Sequence, residues 1–179
     1  VNRPTFFQIY MGLAESMAQR STCARGLKVG CVITTPDFRK VLAVGYNGNA
    51  AGGPNDCDRH GEKAVGNCGC IHAEANAVIN CDAPRGTKKV VFVTHLPCVT
   101  CAKFLINLGD VEALFYKNDY RIKESLRWLS KANIVAGHLP ESGDILEAFQ
   151  ASAEDLKKFE LEESRRLIEE KKREAPPTT

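Results

Sequence analysis

Four residues of this sequence carry groups that could do metal chemistry together: His72, Glu74, Cys98 and Cys101. Zinc in catalytic sites takes three protein ligands and keeps a fourth position for water. One imidazole and two thiolates meet that need. A Cys-x-x-Cys at the start of a helix puts both sulfurs on the first turn, where the helix N-terminus and the metal both favour thiolate. Pro97 suits the entry to such a helix, because a missing N–H costs little there. Glu74 is two residues from His72. Residues two apart do not share a helix face, but at a first turn both side chains can converge beyond the helix end. A carboxylate so placed can take a proton from water whose pKa zinc has lowered to about 7.

The elements that must position these groups can be read from pattern. Residues 4–20 read as a helix, with Phe6, Phe7, Tyr10, Leu13, Ala14 and Met17 on one apolar stripe. Residues 28–35 and 40–46 read as two strands turning at Pro36-Asp37. Residues 47–71 look irregular and glycine-rich, and a loop of that length in a compact domain is usually functional or metal-tied. A short helix over 73–80, a buried strand over 90–94 and a helix over 98–108 stopping at Gly109 follow. A strand over 111–116, a helix over 122–132 and a short strand over 133–136 complete the order α-β-β-α-β-α-β-α-β. Alternation in the second half implies a mixed sheet with helices packed on it.

The chain has 179 residues, 44% hydrophobic and 26% charged, which suits one domain with a proper core. The expected division is a folded domain over 1–150 and a charged helix with a disordered tail over 151–179. Most of residues 154–174 are Asp, Glu, Lys or Arg with mixed signs, and Leu156, Phe159, Leu167 and Ile168 leave only a thin apolar stripe. That is a solvated helix, packing weakly on the domain or on a partner subunit. A net charge of +2 and 7% aromatic residues give no basic field for nucleic acid. No apolar run is long enough to span a membrane. Residues 1–5 carry no secretory leader pattern, so a cytoplasmic location is expected and the eight cysteines point to metal rather than disulfides.

A lone Cys-x-x-Cys is equally a redox pair or half of a structural zinc site, and a lone His-x-Glu means little. Together, in this order and with Pro97, they match the zinc-deaminase signature. From about residue 5 to about 135 the sequence resembles the deoxycytidylate (dCMP) deaminase family of the cytidine deaminase superfamily. The landmarks are Arg20-Ser21-Thr22-Cys23, Lys28-Val29-Gly30, Gly45-Tyr46-Asn47-Gly48, Gly52-Gly53, Ile71 to Glu74 with Asn76-Ala77, Val93-Thr94-His95, Pro97 to Cys101, and Asp119-Tyr120. Gly-Tyr-Asn-Gly followed by Gly-Gly points to the nucleotide-monophosphate branch.

The resemblance implies a three-layer α/β/α cytidine-deaminase-like fold with a mixed five-stranded sheet. It implies a hydrolase that converts dCMP to dUMP and ammonia, feeding thymidylate synthesis, with Glu74 passing a proton to N3 of the ring and then to the departing amine. Asn47 matches the family asparagine that contacts the substrate sugar, although Asn-Gly is also a common turn. Tyr120 would pack over the nucleotide or meet its phosphate, and Arg20, Arg25 and Lys28 are candidates for that phosphate. The family is often hexameric, activated by dCTP and inhibited by dTTP, with magnesium on the triphosphate. An effector site would lie near Asn47, Gly48, Gly52 and Gly53.

Several dCMP deaminases also carry a second, structural zinc between the long loop and the segment after the first helix. Cys23, Cys57, His60, Cys68 and Cys70 are five candidates for four positions. Cys57 and His60 have zinc-like spacing, and a metal clip would offset the entropy of a loop with little apolar content. Cys31 and Cys81 fall in apolar-patterned strand and helix and read as buried packing residues. Competing functions are deamination of another cytosine nucleotide (dCTP or CMP), deamination of tRNA or single-stranded DNA, and a non-catalytic zinc module for binding or competence-type assembly. An intact Glu74 argues against the last.

Overall fold

The computed structural model describes residues 3–23, 27–56 and 69–139, together with Lys157 and Arg165. Its elements are α1 (Phe6–Ala18), β1 (Gly30–Thr34), β2 (Val41–Tyr46), α2 (Ala73–Ile79), β3 (Lys89–His95), α3 (Val99–Leu108), β4 (Val111–Asn118), α4 (Glu124–Lys131) and β5 (Val135–His138). The order is the one expected from pattern, with no end moved by more than two residues. The first helix begins at Phe6 because Thr5 caps it: Thr5 Oγ1 accepts from the Gln8 N–H while Gln8 Oε1 accepts from the Thr5 N–H. The expected helix over 154–174 lies outside the described residues.

The sheet runs β2-β1-β3-β4-β5. β1 is antiparallel to both β2 and β3, whereas β3, β4 and β5 are parallel. Alternation sorts the side chains into two layers. Val32, Val90, Phe92 and Phe115 face α1, where they meet Met11, Ala14 and Leu139. Cys31, Ile33, Val91, Val93, Leu114 and Tyr116 face the other way, toward Ala73 and Ala77 of α2, Leu105 of α3 and Leu126 and Leu129 of α4. Every residue of β1 is buried, as a strand covered on both faces requires. The result is a three-layer α/β/α arrangement on a mixed five-stranded sheet.

Burial pushes the Cys31 thiol well above its ordinary value, so it stays a neutral packing group. Cys81 departs from expectation. It lies beyond the Asn80 cap of α2 and is half-buried rather than inside a helix core. Pattern also gave no sign of Lys89, which is 1% exposed at the start of β3. Its ammonium donates to the carbonyls of Thr87 at 2.6 Å and Gly109 at 3.1 Å, tying down the end of α3. Burying such a charge is tolerable only because those acceptors are there.

Two glycines set how closely the helices sit. A Cβ on Gly30 would fall 1.8 Å from the Ala14 carbonyl oxygen, and one on Gly45 would fall 2.1 Å from the Ala73 carbonyl oxygen and 2.5 Å from the Ala77 nitrogen. All of these are backbone atoms and cannot swing away. Gly45→Ala is therefore expected to push α2 off β2, at a cost of roughly 1–3 kcal/mol for overpacking. A lowered melting temperature is the expected result, because α2 would lose its seat on β2. An unchanged melting temperature would contradict the close approach.

Candidate active site

Helices α2 and α3 start in the same way. His72 is the N-cap of α2, with extended backbone (φ −69°, ψ 155°), and Cys98 is the N-cap of α3 (φ −67°, ψ 167°). Neither side chain makes a capping hydrogen bond to its own helix. Both point instead to a common place. His72 Nδ1 lies 3.6 Å from Cys98 Sγ and 3.3 Å from Cys101 Sγ, and the three ligand atoms all fall within 4.8 Å of one another. A tetrahedral ion with bonds of about 2.0 Å to nitrogen and 2.3 Å to sulfur separates its ligand atoms by roughly 3.5–3.8 Å. The donor set and its spacing therefore fit zinc. Because His72 is an N-cap rather than a helical residue, it and Glu74 need not share a helix face.

The charges at this place are strongly perturbed. Cys98 accepts the hydrogen bond of the Cys101 thiol, which drives Cys98 down to about 4; His72 adds to the effect. Cys101 is held far above its ordinary value because it supplies that bond and is itself buried beside Glu74. A cation bound between the sulfurs would take them as thiolates and displace any thiol proton. Glu74 is 4% exposed. Burial pushes its carboxyl up to about 7, against the opposing pull of its own backbone N–H and of His72. An acid near 7 can both take and give a proton at neutral pH.

Three contacts hold α2 in position for this. Gly45 admits its backbone, Asn76 Nδ2 donates to the Tyr46 carbonyl at 2.8 Å, and Gly48 pairs with Ile71 through two backbone hydrogen bonds of 3.1 and 2.8 Å. The last contact also closes the ends of the long loop over 47–71 just before His72. Asn47, one residue back, is 7% exposed, and its side chain accepts from the Val29 N–H at 2.8 Å and donates to the Leu27 carbonyl at 2.9 Å. It braces the approach to β1.

A pocket of about 360 Å³ opens over the three ligands, walled by Ile71 and Ala75 from the α2 side, Thr100 and Phe104 from α3, and Tyr120 beyond β4. Of the residues expected to meet substrate, Tyr120 lies in this wall. Arg20 and Lys28 are exposed, with the Arg20 guanidinium 5.8 Å from the Tyr46 ring centroid. Arg25 lies outside the described residues. Ala75, Thr100 and Phe104 carry no motif of their own. For Ala75 and Phe104, three residues after His72 and Cys101, helical spacing is the sequence signal that could have found them, and Thr100 lies inside the Cys98–Cys101 motif. Gly52 and Gly53 lie on an exposed turn closed by the Gly53 N–H to the Ala50 carbonyl, and Gly48 is taken up in the bridge. Cys23 is buried and Cys70 half-buried, whereas Cys57, His60 and Cys68 lie outside the described residues. Among the described residues, His72, Cys98 and Cys101 form the one metal-ligating group. No helix among them is long and apolar enough to cross a membrane.

Comparison with known proteins agrees with the geometry. ComE operon protein 2 of Bacillus subtilis is 34% identical over 125 residues, 68% of this chain and 64% of that one. A deoxycytidylate deaminase of Mycobacterium phage D29 is 34% identical over 131 residues, 66% of this chain and 99% of that one. The chain thus spans just under two thirds of the first relative and nearly all of the second. A solved dCMP deaminase from cyanophage S-TIM5, in complex with dCMP and dUMP, superposes with a TM-score of 0.65 at 28% identity, covering 77% of this chain and 99% of that one. The family model for the cytidine and deoxycytidylate deaminase zinc-binding region matches residues 5–117, and the chain belongs to that family.

Proposed function

We propose that the chain is a zinc-dependent hydrolase that converts dCMP and water to dUMP and ammonia. The observation that carries this reading is a buried carboxyl, Glu74, beside the His72/Cys98/Cys101 group, whose three residues line one pocket. Relatives named as deoxycytidylate deaminases, one of them matched over nearly its whole length, support the choice of substrate.

His72, Cys98 and Cys101 would hold the zinc, which when bound supplies Lewis acidity and a water of lowered pKa. The rest falls to the protein. Glu74 takes the proton of the attacking water, delivers it to N3 of the cytosine ring and then assists the exocyclic amine to leave as ammonia. Its burial keeps bulk water from competing for that proton. Asn47, Tyr120, Arg25 and Lys28 are proposed to serve the sugar and phosphate, Asn47 partly by fixing the backbone before β1. Dissolved cytoplasmic dCMP would supply the substrate, and the product would feed thymidylate synthesis.

Three finer features belong to the same reading. A second, structural zinc would be held by four of Cys23, Cys57, His60, Cys68 and Cys70. The assembly would be a homohexamer. It would be activated by dCTP, with Mg2+ on the triphosphate, and inhibited by dTTP at a site near Asn47, Gly48, Gly52 and Gly53.

Ammonia release from dCMP, CMP, dCTP, deoxycytidine and a cytosine oligonucleotide tests the activity. Turnover is expected with dCMP foremost; preference for the oligonucleotide would favour a nucleic-acid deaminase instead. Glu74→Gln should lower kcat by a factor of 10² or more, the scale of a lost general acid–base, while zinc stays bound. Unchanged turnover would remove Glu74 from the mechanism. Metal analysis should find two zinc ions per chain, one lost in Cys101→Ser and the other in Cys57→Ser. A single zinc unaffected by Cys57→Ser would leave no second site. Addition of dCTP should make the dCMP saturation curve less sigmoidal, and a curve that ignores dCTP and dTTP alike would count against regulation.

A further inference from the structure

Among the walls of the pocket, Phe104 stands apart. It follows Cys101 by three residues on α3, so it lies on the same face one turn farther along. The core face of α3 is Cys101, Ala102 and Leu105, all buried. Phe104 is left out of that core, 45% exposed, yet lines the same pocket as the metal ligands. A half-exposed phenyl ring contributes little to the core, and its surface is available to whatever enters the pocket. The α2 side of the pocket presents Ala75, whose side chain is small, and Ile71 just before the helix. Among the described residues the other aromatic wall is Tyr120, whose ring has the Arg121 guanidinium 5.6 Å from its centroid.

A heteroaromatic ring deaminated at a carbon must turn that edge toward the reacting groups and its flat faces toward the walls. Resting on the substrate reading above, we propose that Phe104 is a base-binding residue: its ring is the platform on which a pyrimidine base lies face-on, with the C4 edge turned toward His72, Cys98 and Cys101, which line the same pocket. Stacking of this kind binds any planar base by its π-face, and the depth of the pocket then limits which base can bring its amino group to the floor. Phe104 sets the hold on the base, and Glu74 sets the chemistry.

The test uses the zinc-loaded full chain. Phe104→Ala should raise KM for dCMP about 5- to 100-fold, the range expected for loss of a base–aromatic contact, with kcat within a few-fold of the parent. Its affinity for the product dUMP, measured by calorimetry, should fall by a similar factor. Zinc content and melting temperature should not change, because the side chain is half in solvent. Phe104→Tyr should restore both KM and dUMP affinity, and Phe104→Leu, apolar but not planar, should restore them only in part. A KM and a dUMP affinity within twofold of the parent in Phe104→Ala would overturn the proposal, as would full restoration by Leu. So would a change in oligomer size whose reversal at high protein concentration also restores KM, since that assigns Phe104 to a subunit contact. If the parent binds dUMP but turns over no cytosine nucleotide, the activity reading fails while the dUMP series still decides the role of Phe104. A parent that does not bind dUMP overturns the stacking role outright.

Discussion

Two helices must begin at one point, and most of the described architecture serves that demand. His72 and Cys98 each occupy the last extended residue before a helix, and each forgoes the capping bond that position usually makes. The lost caps are offset by what the arrangement permits: two positive helix ends facing a cluster of sulfur and carboxylate groups. Such a cluster would be costly if the helices could slide. Gly45 prevents sliding on the α2 side by letting backbone touch backbone, and Asn76 and the Gly48–Ile71 pair fix the remaining freedom. On the α3 side, buried Lys89 secures the far end of the helix through the Gly109 carbonyl.

Chemistry and fold order were legible in the sequence for different reasons. His72, Glu74, Cys98 and Cys101 announce themselves because metal ligation admits few residue types and the N-terminal turn of a helix admits few spacings. The strands announce themselves through short apolar runs such as 90–94, and α3 through its glycine stop. What stayed hidden depends on contacts between distant segments. The carbonyls that accept from Lys89 are two and twenty residues away, so nothing local marks that lysine as buried. Phe104 reads as an ordinary helical hydrophobe until α2 and the segment after β4 close a pocket around it. Asn47 was readable as a turn residue, but its grip on Leu27 and Val29 across the sheet edge was not. Cys81 was placed in a helix because the apolar pattern runs past the point where Asn80 ends it.

The same logic separates the resemblance to known deaminases from the physics. A family match from 5 to 117 says what kind of floor the pocket has. The walls come from helix faces, Ala75 on α2 and Phe104 on α3, each three residues beyond a metal ligand.

The sheet has an antiparallel half, β2 and β1, and a parallel half, β3 to β5. His72 belongs to the helix that packs on the first half, whereas both cysteines start a helix that leaves the second. An ion bound to all three would tie the two helix starts together across 26 positions of sequence from His72 to Cys98. Chelation would then do more than remove a Lewis acid: it would untie the starts of α2 and α3 from each other, while the β1–β3 ladder keeps the two halves of the sheet joined.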